Sequence, residues 1–380
     1  MAIIILKKGD KIQKKNALGT VDNEYTLTSD FKAEGGRSES ATAVDRKGNK
    51  YFVKKLSNYN FPPEDIRKKS KASEETYQRS LKYVQHQGII YQKLAPYAQG
   101  GTLVIRDYAE VLGCFCYSIF PYVEDQKINV HNLPMKDRIA LLKLTAIGLQ
   151  NLHKEKIVHA DLKPHNIIIG KNASGKYAPK IIDFDDSFFD GKTPLPSELI
   201  ADENYYSPEL AIYYFSEGKK SFDIDASCIT RMTDIFTLGI IFCNFLTGKK
   251  PNPCKADQPI YASIFDAVPK DKGLKSLKGK QVLTIPKTDI SGNAIPDKIQ
   301  NLINRMLLPW YEERPSISEV IGILSMVNIS DHPAKPKPEP KVEPKTILRW
   351  KCKKCGKVND NNRMRCDCGE LKGMNPDYVK

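Results

Sequence analysis

The sequence predicts an α+β fold: a small β-rich lobe, then a large helical lobe, then a short ribbon held by cysteines. Three observations point there. Short β-branched and aromatic runs, separated by turn residues, crowd the first 120 residues. Apolar residues then recur at helical spacing, beginning with Ile139, Leu142, Ala146, Leu149 and Leu152. Four of the nine cysteines cluster between Cys352 and Cys368.

Residues 1–24 read as an N-terminal extension in which Ala2-Ile3-Ile4-Ile5-Leu6 is a strand. That run has no basic stretch before it and no small-residue cleavage site, so it is a poor signal peptide. Tyr25 to Leu56 reads as three antiparallel strands: Tyr25-Thr26-Leu27, Ala41-Thr42-Ala43-Val44 and Tyr51-Phe52-Val53-Lys54, the last two joined by a tight turn at Lys47-Gly48-Asn49. The tip between the first two strands holds Gly35, Gly36 and Ser38, where glycine lets backbone N–H groups approach a phosphate closely. Strand alternation puts Phe52 and Lys54 on one face and turns Lys55 to the other. Glu64 to Leu94 is one long charged helix, and Leu103-Val104-Ile105 and Cys114 to Phe120 are the next two strands.

Between Lys154 and Ile169 a polar loop sits between apolar runs: His159-Ala160-Asp161-Leu162-Lys163-Pro164-His165-Asn166. A carboxylate at a strand mouth can orient a hydroxyl and accept its proton. A lysine can neutralise a phosphate, and an asparagine oxygen can hold a hard divalent cation. Fourteen residues after Asn166, the run Lys180-Ile181-Ile182 leads into Asp183-Phe184-Asp185, a second carboxylate site. Together these groups are equipment for phosphoryl transfer.

On these residues the chain resembles the eukaryotic-type Ser/Thr protein kinases, over residues 25–329. Their catalytic loop reads H-R-D-L-K-P-x-N and their metal loop D-F-G. Here Ala160 replaces the arginine and Asp185 the glycine. The resemblance implies a bilobal fold, Mg²⁺ and ATP as cofactors, and a protein substrate. It implies Asp161 as catalytic base, Lys163 as charge balance, and Asn166 and Asp183 as Mg²⁺ ligands. Lys54 is implied on the nucleotide phosphates under Gly35, Gly36 and Ser38. Pro121 and Val123 are implied at the interlobe hinge, facing adenine with a carbonyl and an N–H. The glutamate partner of Lys54 is not placed: Gln87 occupies its slot on the long helix, and Glu74 and Glu75 lie three to four turns earlier. Glu209 is implied to pair with Arg314, and Asp234 to hold the catalytic-loop backbone. Ala160 removes the group that grips a phosphorylated activation loop, and Asp202 stands where a threonine usually meets the catalytic aspartate.

Residues 330–346 alternate Pro with Lys and Glu and form an extended linker. Beyond it, residues 347–372 carry Cys352, Cys355, Cys366 and Cys368, spaced C-x-x-C, ten residues, C-x-C. Two thiolate pairs on short turns fit tetrahedral Zn²⁺, which would supply on the order of 10–16 kcal/mol of folding energy to so short a segment. With Trp350 and Asn359, the segment resembles the Ran-binding-protein class of zinc ribbon; residues 373–380 are a tail.

The net charge is +14, and half of it falls between Pro333 and Lys380, where thirteen Lys and Arg face six Asp and Glu. That excess suits an acidic, ubiquitin or RNA partner. No apolar stretch is long enough to span a membrane. The scattered cysteines of the first 254 residues suit a reducing, cytoplasmic setting. Alternative readings are a pseudokinase that acts as a nucleotide-binding scaffold, a small-molecule phosphotransferase of similar fold, and an RNA- or ubiquitin-binding zinc-ribbon protein with the kinase body as scaffold.

Overall fold

The computed structural model describes residues 5–33, 38–172, 174–199, 201–327, 349–351, 355–360 and 377–379. The chain divides into two units, Met1–Pro333 and Ala334–Lys380.

The first unit opens with strands β1 (Lys11–Lys15), β2 (Val21–Leu27), β3 (Lys32–Ala33), β4 (Ser38–Asp45), β5 (Lys50–Asn60), β6 (Tyr108–Leu112) and β7 (Phe115–Pro121). They form one antiparallel sheet in the order β1-β2-β4-β5-β7-β6, with β3 paired to β4. Alternation buries Tyr25, Leu27, Ala41, Ala43 and Val53 in the small lobe's own core. The turn between β4 and β5 forms because Asp45 Oδ1 accepts from both Lys47 N and Asn49 N, while Gly48 takes φ +83.

Two expectations are corrected in this region, and a third falls mostly outside the described residues. The sheet begins earlier than Tyr25, because β1 pairs with β2 and buries Ile12 inside the stretch read as an extension. Of the apolar run at the N-terminus only Ile5 and Leu6 are described, and neither is in a strand. Leu103-Val104-Ile105 is not a strand of this sheet: all three residues are buried in the large lobe's core, tied by Val104 N to Ile181 O at 3.0 Å. A fully buried run cannot alternate, and the true edge strand is β6, which begins three residues after Ile105.

The long charged stretch forms two helices, α1 (Glu64–Arg67) and α2 (Lys71–Leu94). Extended backbone at Ser70 separates them, and its hydroxyl caps α2 by accepting from Ser73 N.

The large lobe contains α3 (Met135–Lys154), the short strands β8 (Ile157–Val158), β9 (Ile167–Lys171), β10 (Tyr177–Ile181) and β11 (Phe188–Phe189), then α4 (Pro208–Phe215), α5 (Met232–Thr247), α6 (Ile260–Phe265), α7 (Asp297–Met306) and α8 (Ile317–Ser325). The expected stripe of α3, from Ile139 to Leu152, is buried throughout. Helix α5 is buried on nearly every side. It stops at Gly248, whose φ of +67 suits glycine and where a Cβ would lie 2.8 Å from Ile290.

Two buried ion pairs brace this lobe. Arg314 grips Glu209 with two bonds of 2.7 and 2.8 Å, and both side chains are sealed from solvent. Arg138 meets Asp289 at 2.6 Å and also donates to Leu246 O.

The second unit contains β12 (Arg349–Lys351), β13 (Val358–Asp360) and β14 (Asp377–Val379), with β12 in the middle. Cys355 lies in the turn between β12 and β13 beside Gly356 at φ +72. The other three cysteines of the zinc reading, Cys352, Cys366 and Cys368, lie outside the described residues, as does the linker.

Candidate active site

The polar loop lies between β8 and β9, whose buried isoleucines anchor its two ends. Asp234, buried near the start of α5, fixes the entry. Its carboxylate accepts from His159 N at 2.9 Å, Ala160 N at 3.1 Å and His153 Nε2 at 3.0 Å. Ala160 is thereby held at φ +66, a conformation side chains disfavour, which directs the next residue into the cleft.

Asp161 is held from three sides. Lys163 Nζ lies 2.7 Å from Oδ2, Asn166 Nδ2 donates to Oδ2 at 3.1 Å, and Asp202 N donates to Oδ1 at 3.0 Å. The position usually filled by a threonine thus meets the aspartate through its backbone N–H. The Asp202 side chain turns away and accepts from Asn204. Because Asn166 spends its amide nitrogen on Asp161, its amide oxygen is left for a cation.

Asp183 follows β10 at φ +62, and Ile182 N donates to Asn166 O, so the two loops are tied backbone to backbone. Lys54 of β5 reaches down to both oxygens of Asp183 at 2.9 and 3.0 Å. It also meets Asp185 at 2.6 Å. Burial opposes charge on Lys54, but the carboxylates of Asp185 and Asp183 outweigh it and hold the ammonium well above its usual range. Burial likewise opposes the Asp183 carboxylate, yet Lys54 holds its pKa below the usual value. Asp185 goes the other way, because burial and the neighbouring charge of Asp183 together exceed the pull of Lys54.

An aromatic column backs the cleft. His159 lies 5.4 Å from Phe184, Phe184 lies 5.8 Å from Tyr91 of α2, and Tyr91 lies 5.8 Å from Phe120 of β7. Edge-to-face packing of this kind is worth roughly 0.5–1.5 kcal/mol per pair beyond area burial.

Of the other predicted site residues, Ser38 opens β4, while Gly35 and Gly36 lie outside the described residues. Pro121 ends β7 and Val123 follows half-buried against the large lobe's core. Phe52 sits opposite Phe120 and packs against that same core, on the Lys54 face. Lys55 points the other way and pairs with Glu39 at 2.7 Å.

Sequence reasoning missed the contacts of two groups. Asp185 touches Lys54, although its place in the pattern marked it only as a departure. Gln87 is 2% exposed and donates to Asp185 O at 2.9 Å. A buried glutamine in a slot expected to hold an acid was the available signal.

Among the described residues, no group of three or more His, Cys, Asp or Glu side chains is arranged to hold a metal ion. Asp183 and Asn166 could supply one carboxylate and one amide oxygen to a cation that also binds phosphates.

Similarity to known proteins agrees with this geometry. The chain is 30% identical over 230 residues to a putative serine/threonine-protein kinase of Acanthamoeba polyphaga mimivirus, covering 57% of this chain and 70% of that protein. It is 26% identical over 204 residues to the receptor-like serine/threonine-protein kinase NCRK of Arabidopsis thaliana, covering 50% of this chain and 32% of that one. It is 25% identical over 203 residues to the serine/threonine-protein kinase PknA of Corynebacterium glutamicum, covering 50% and 40%. The chain therefore spans a third to two fifths of the length of the last two. Residues 33–323 match the protein kinase domain family, and that span takes in Lys54, both loops of the cleft and the Glu209–Arg314 pair. By that match and that cleft, the chain belongs to the protein kinase family.

Proposed function

We propose that the protein transfers the terminal phosphoryl group of ATP to Ser or Thr hydroxyls of protein substrates. The observation that carries this reading is the Asp161 carboxylate, fixed by Lys163, Asn166 and Asp202 within the same cleft as the Lys54–Asp183 pair. Asp161 orients the substrate hydroxyl and takes its proton. The hydroxyl oxygen then bonds to the terminal phosphorus as the bond to the bridging oxygen breaks, and ADP leaves. Lys163 balances charge on the moving phosphoryl group. Lys54 grips the remaining phosphates, and Asn166 and Asp183 supply oxygens for Mg²⁺. Bound there, Mg²⁺ neutralises phosphate charge. The residues from β7 to Val123 line the adenine end, with Phe52 narrowing it from β5. Incubation with labelled ATP, Mg²⁺ and generic Ser/Thr substrates, beside Asp161→Ala, is the test. Label transfer by the wild type alone supports the reading, and equal transfer by both overturns the role of Asp161.

A zinc ribbon that recruits the partner is the second part of the proposal. Cys355 on the hairpin turn between β12 and β13 supports it, because such turns present thiolates. The reading requires a reducing, cytoplasmic setting in which Cys352, Cys355, Cys366 and Cys368 stay reduced and able to hold Zn²⁺. The positive tail then suits an acidic, ubiquitin or RNA partner. Metal analysis of the full chain should find one Zn²⁺, lost together when Cys366 and Cys368 are changed to Ser. A full chain without zinc, or zinc kept by that variant, sinks this part.

A further inference from the structure

The family's lysine ordinarily takes its partner carboxylate from the helix that packs behind it. Helix α2 has two acids, Glu74 and Glu75, and both are spent elsewhere. Glu74 pairs with Arg67 at 3.1 Å, and Glu75 lies 3.7 Å from Lys71 on the exposed first turn. The slot facing the cleft holds Gln87, a neutral amide. Its nitrogen donates to Asp185 O, and its oxygen has no hydrogen-bond partner among the described residues. No carboxylate of α2 reaches Lys54.

The missing charge is present, on another element. Asp185, third residue of the metal loop, lies 2.6 Å from Lys54 Nζ. Asp183 also touches Lys54, but the proposed chemistry commits its oxygens to Mg²⁺. A lysine that must stay extended toward phosphates needs a partner that is not drawn off by the cation. Among the described residues, Asp185 is the one carboxylate at Lys54 that meets this condition.

The helix still has hold of this arrangement, through side chains other than carboxylates. Tyr83 OH donates to Asp185 O at 3.3 Å, Gln87 Nε2 donates to the same oxygen at 2.9 Å, and His86 Nε2 lies 3.1 Å from Ser187 O. Three side chains, at helical spacing, thus clamp the carbonyls of Asp185 and Ser187.

We propose that Asp185 is the positioning residue for Lys54, and that helix α2 supports it through the metal-loop backbone it clamps. The assignment rests on the reading of the cleft as a phosphoryl-transfer site. It departs from the family pattern in placing lysine, partner acid and metal ligand on two elements rather than three. The alternative is that Asp185 is a brake, a second carboxylate that ties Lys54 down and keeps phosphates out.

The test compares wild type, Asp185→Asn, Asp185→Gly, Gln87→Glu and the double variant Asp185→Asn/Gln87→Glu in the full chain. Two readouts are taken: kcat and KM for ATP with a peptide substrate, and calorimetric affinity for ATP beside adenosine. Asp185→Asn should lower kcat/KM for ATP about 10- to 100-fold and weaken ATP while leaving adenosine within about twofold. Gln87→Glu should recover about fivefold or more in the Asp185→Asn background, because it returns a carboxylate from the helix side, and should give no gain alone. A faster Asp185→Asn or Asp185→Gly enzyme would make Asp185 a brake and overturn the assignment. Equal loss of ATP and adenosine affinity, without recovery in the double variant, would mark a purely structural role and do the same. A wild type that transfers no phosphate defeats the catalytic reading, while the ATP-to-adenosine ratio still decides this one.

Discussion

Asp161→Ala should lower phosphoryl transfer by about 1,000-fold, with ATP affinity changed less than about threefold. The size follows from the geometry. Asp161 receives three donors, and each of them aims its carboxylate rather than the nucleotide. Removing it abolishes the proton acceptor and the hydroxyl's orientation together, whereas the phosphate-facing lysine and the metal loop stay as they are. Asp161→Asn keeps the shape and much of the donor set, so it separates lost chemistry from lost folding. Both variants should fail in transfer, and Asp161→Asn should do so with unchanged melting temperature. Steady-state rates with labelled ATP and a calorimetric ATP titration measure the two halves. Transfer within about tenfold of wild type by Asp161→Asn would mean that another group takes the proton.

Glu209→Ala should cost about 3–5 kcal/mol of stability, close to the whole margin of many domains. Nothing replaces the carboxylate, because Arg314 is sealed with it. The guanidinium also donates to Leu308 O, Met232 O and Pro309 O, so it cannot swing out to water without breaking those bonds. Glu209 further accepts from Thr233 and sits in the first turn of α4, where a negative charge is favoured. A drop in melting temperature of roughly 10 °C is expected for a domain of this size. Glu64→Ala is the control. Its pair with Lys68 joins side chains more than two thirds exposed, so the change should move stability by less than about 1 kcal/mol. Thermal melts of the three proteins in one buffer decide it, and equal melting of Glu209→Ala and wild type would remove the pair from the account of stability.

Much of the architecture was legible because it depends on local pattern. β-branched and aromatic runs between turn residues marked β4, β5 and β7, and the apolar spacing of α3 marked a core helix. The loop residues Asp161, Lys163 and Asn166 lie within six positions of one another, so the chain itself brings them together. Pairings across long separations were legible only where a motif stood at both ends, as for Glu209 and Arg314. Arg138 and Asp289 are 151 residues apart with no such markers, and nothing in either neighbourhood announced that they meet. The Lys54–Asp185 contact was hidden for another reason: a pattern assigns glycine to that position, so an acid there reads as damage rather than as a part. Leu103 to Ile105 misled because a wholly buried apolar run looks the same in a strand and in a core-crossing connection. The ribbon's roles rest on spacing, and three of its four thiols lie outside the described residues.

Strand β1 has a consequence for how molecules of this protein meet one another. It forms the outer edge of the small-lobe sheet, and three of its five residues are Lys11, Lys14 and Lys15. An open sheet edge is a template for aggregation, and lysines along it set like charge against like when two copies approach. The span that matches the kinase family starts at residue 33, beyond both β1 and β2. A chain trimmed to that span would bare β4, whose stretch Ser40-Ala41-Thr42-Ala43-Val44 carries no charge. The colloidal behaviour of the folded lobe therefore depends on residues that contribute nothing to the cleft.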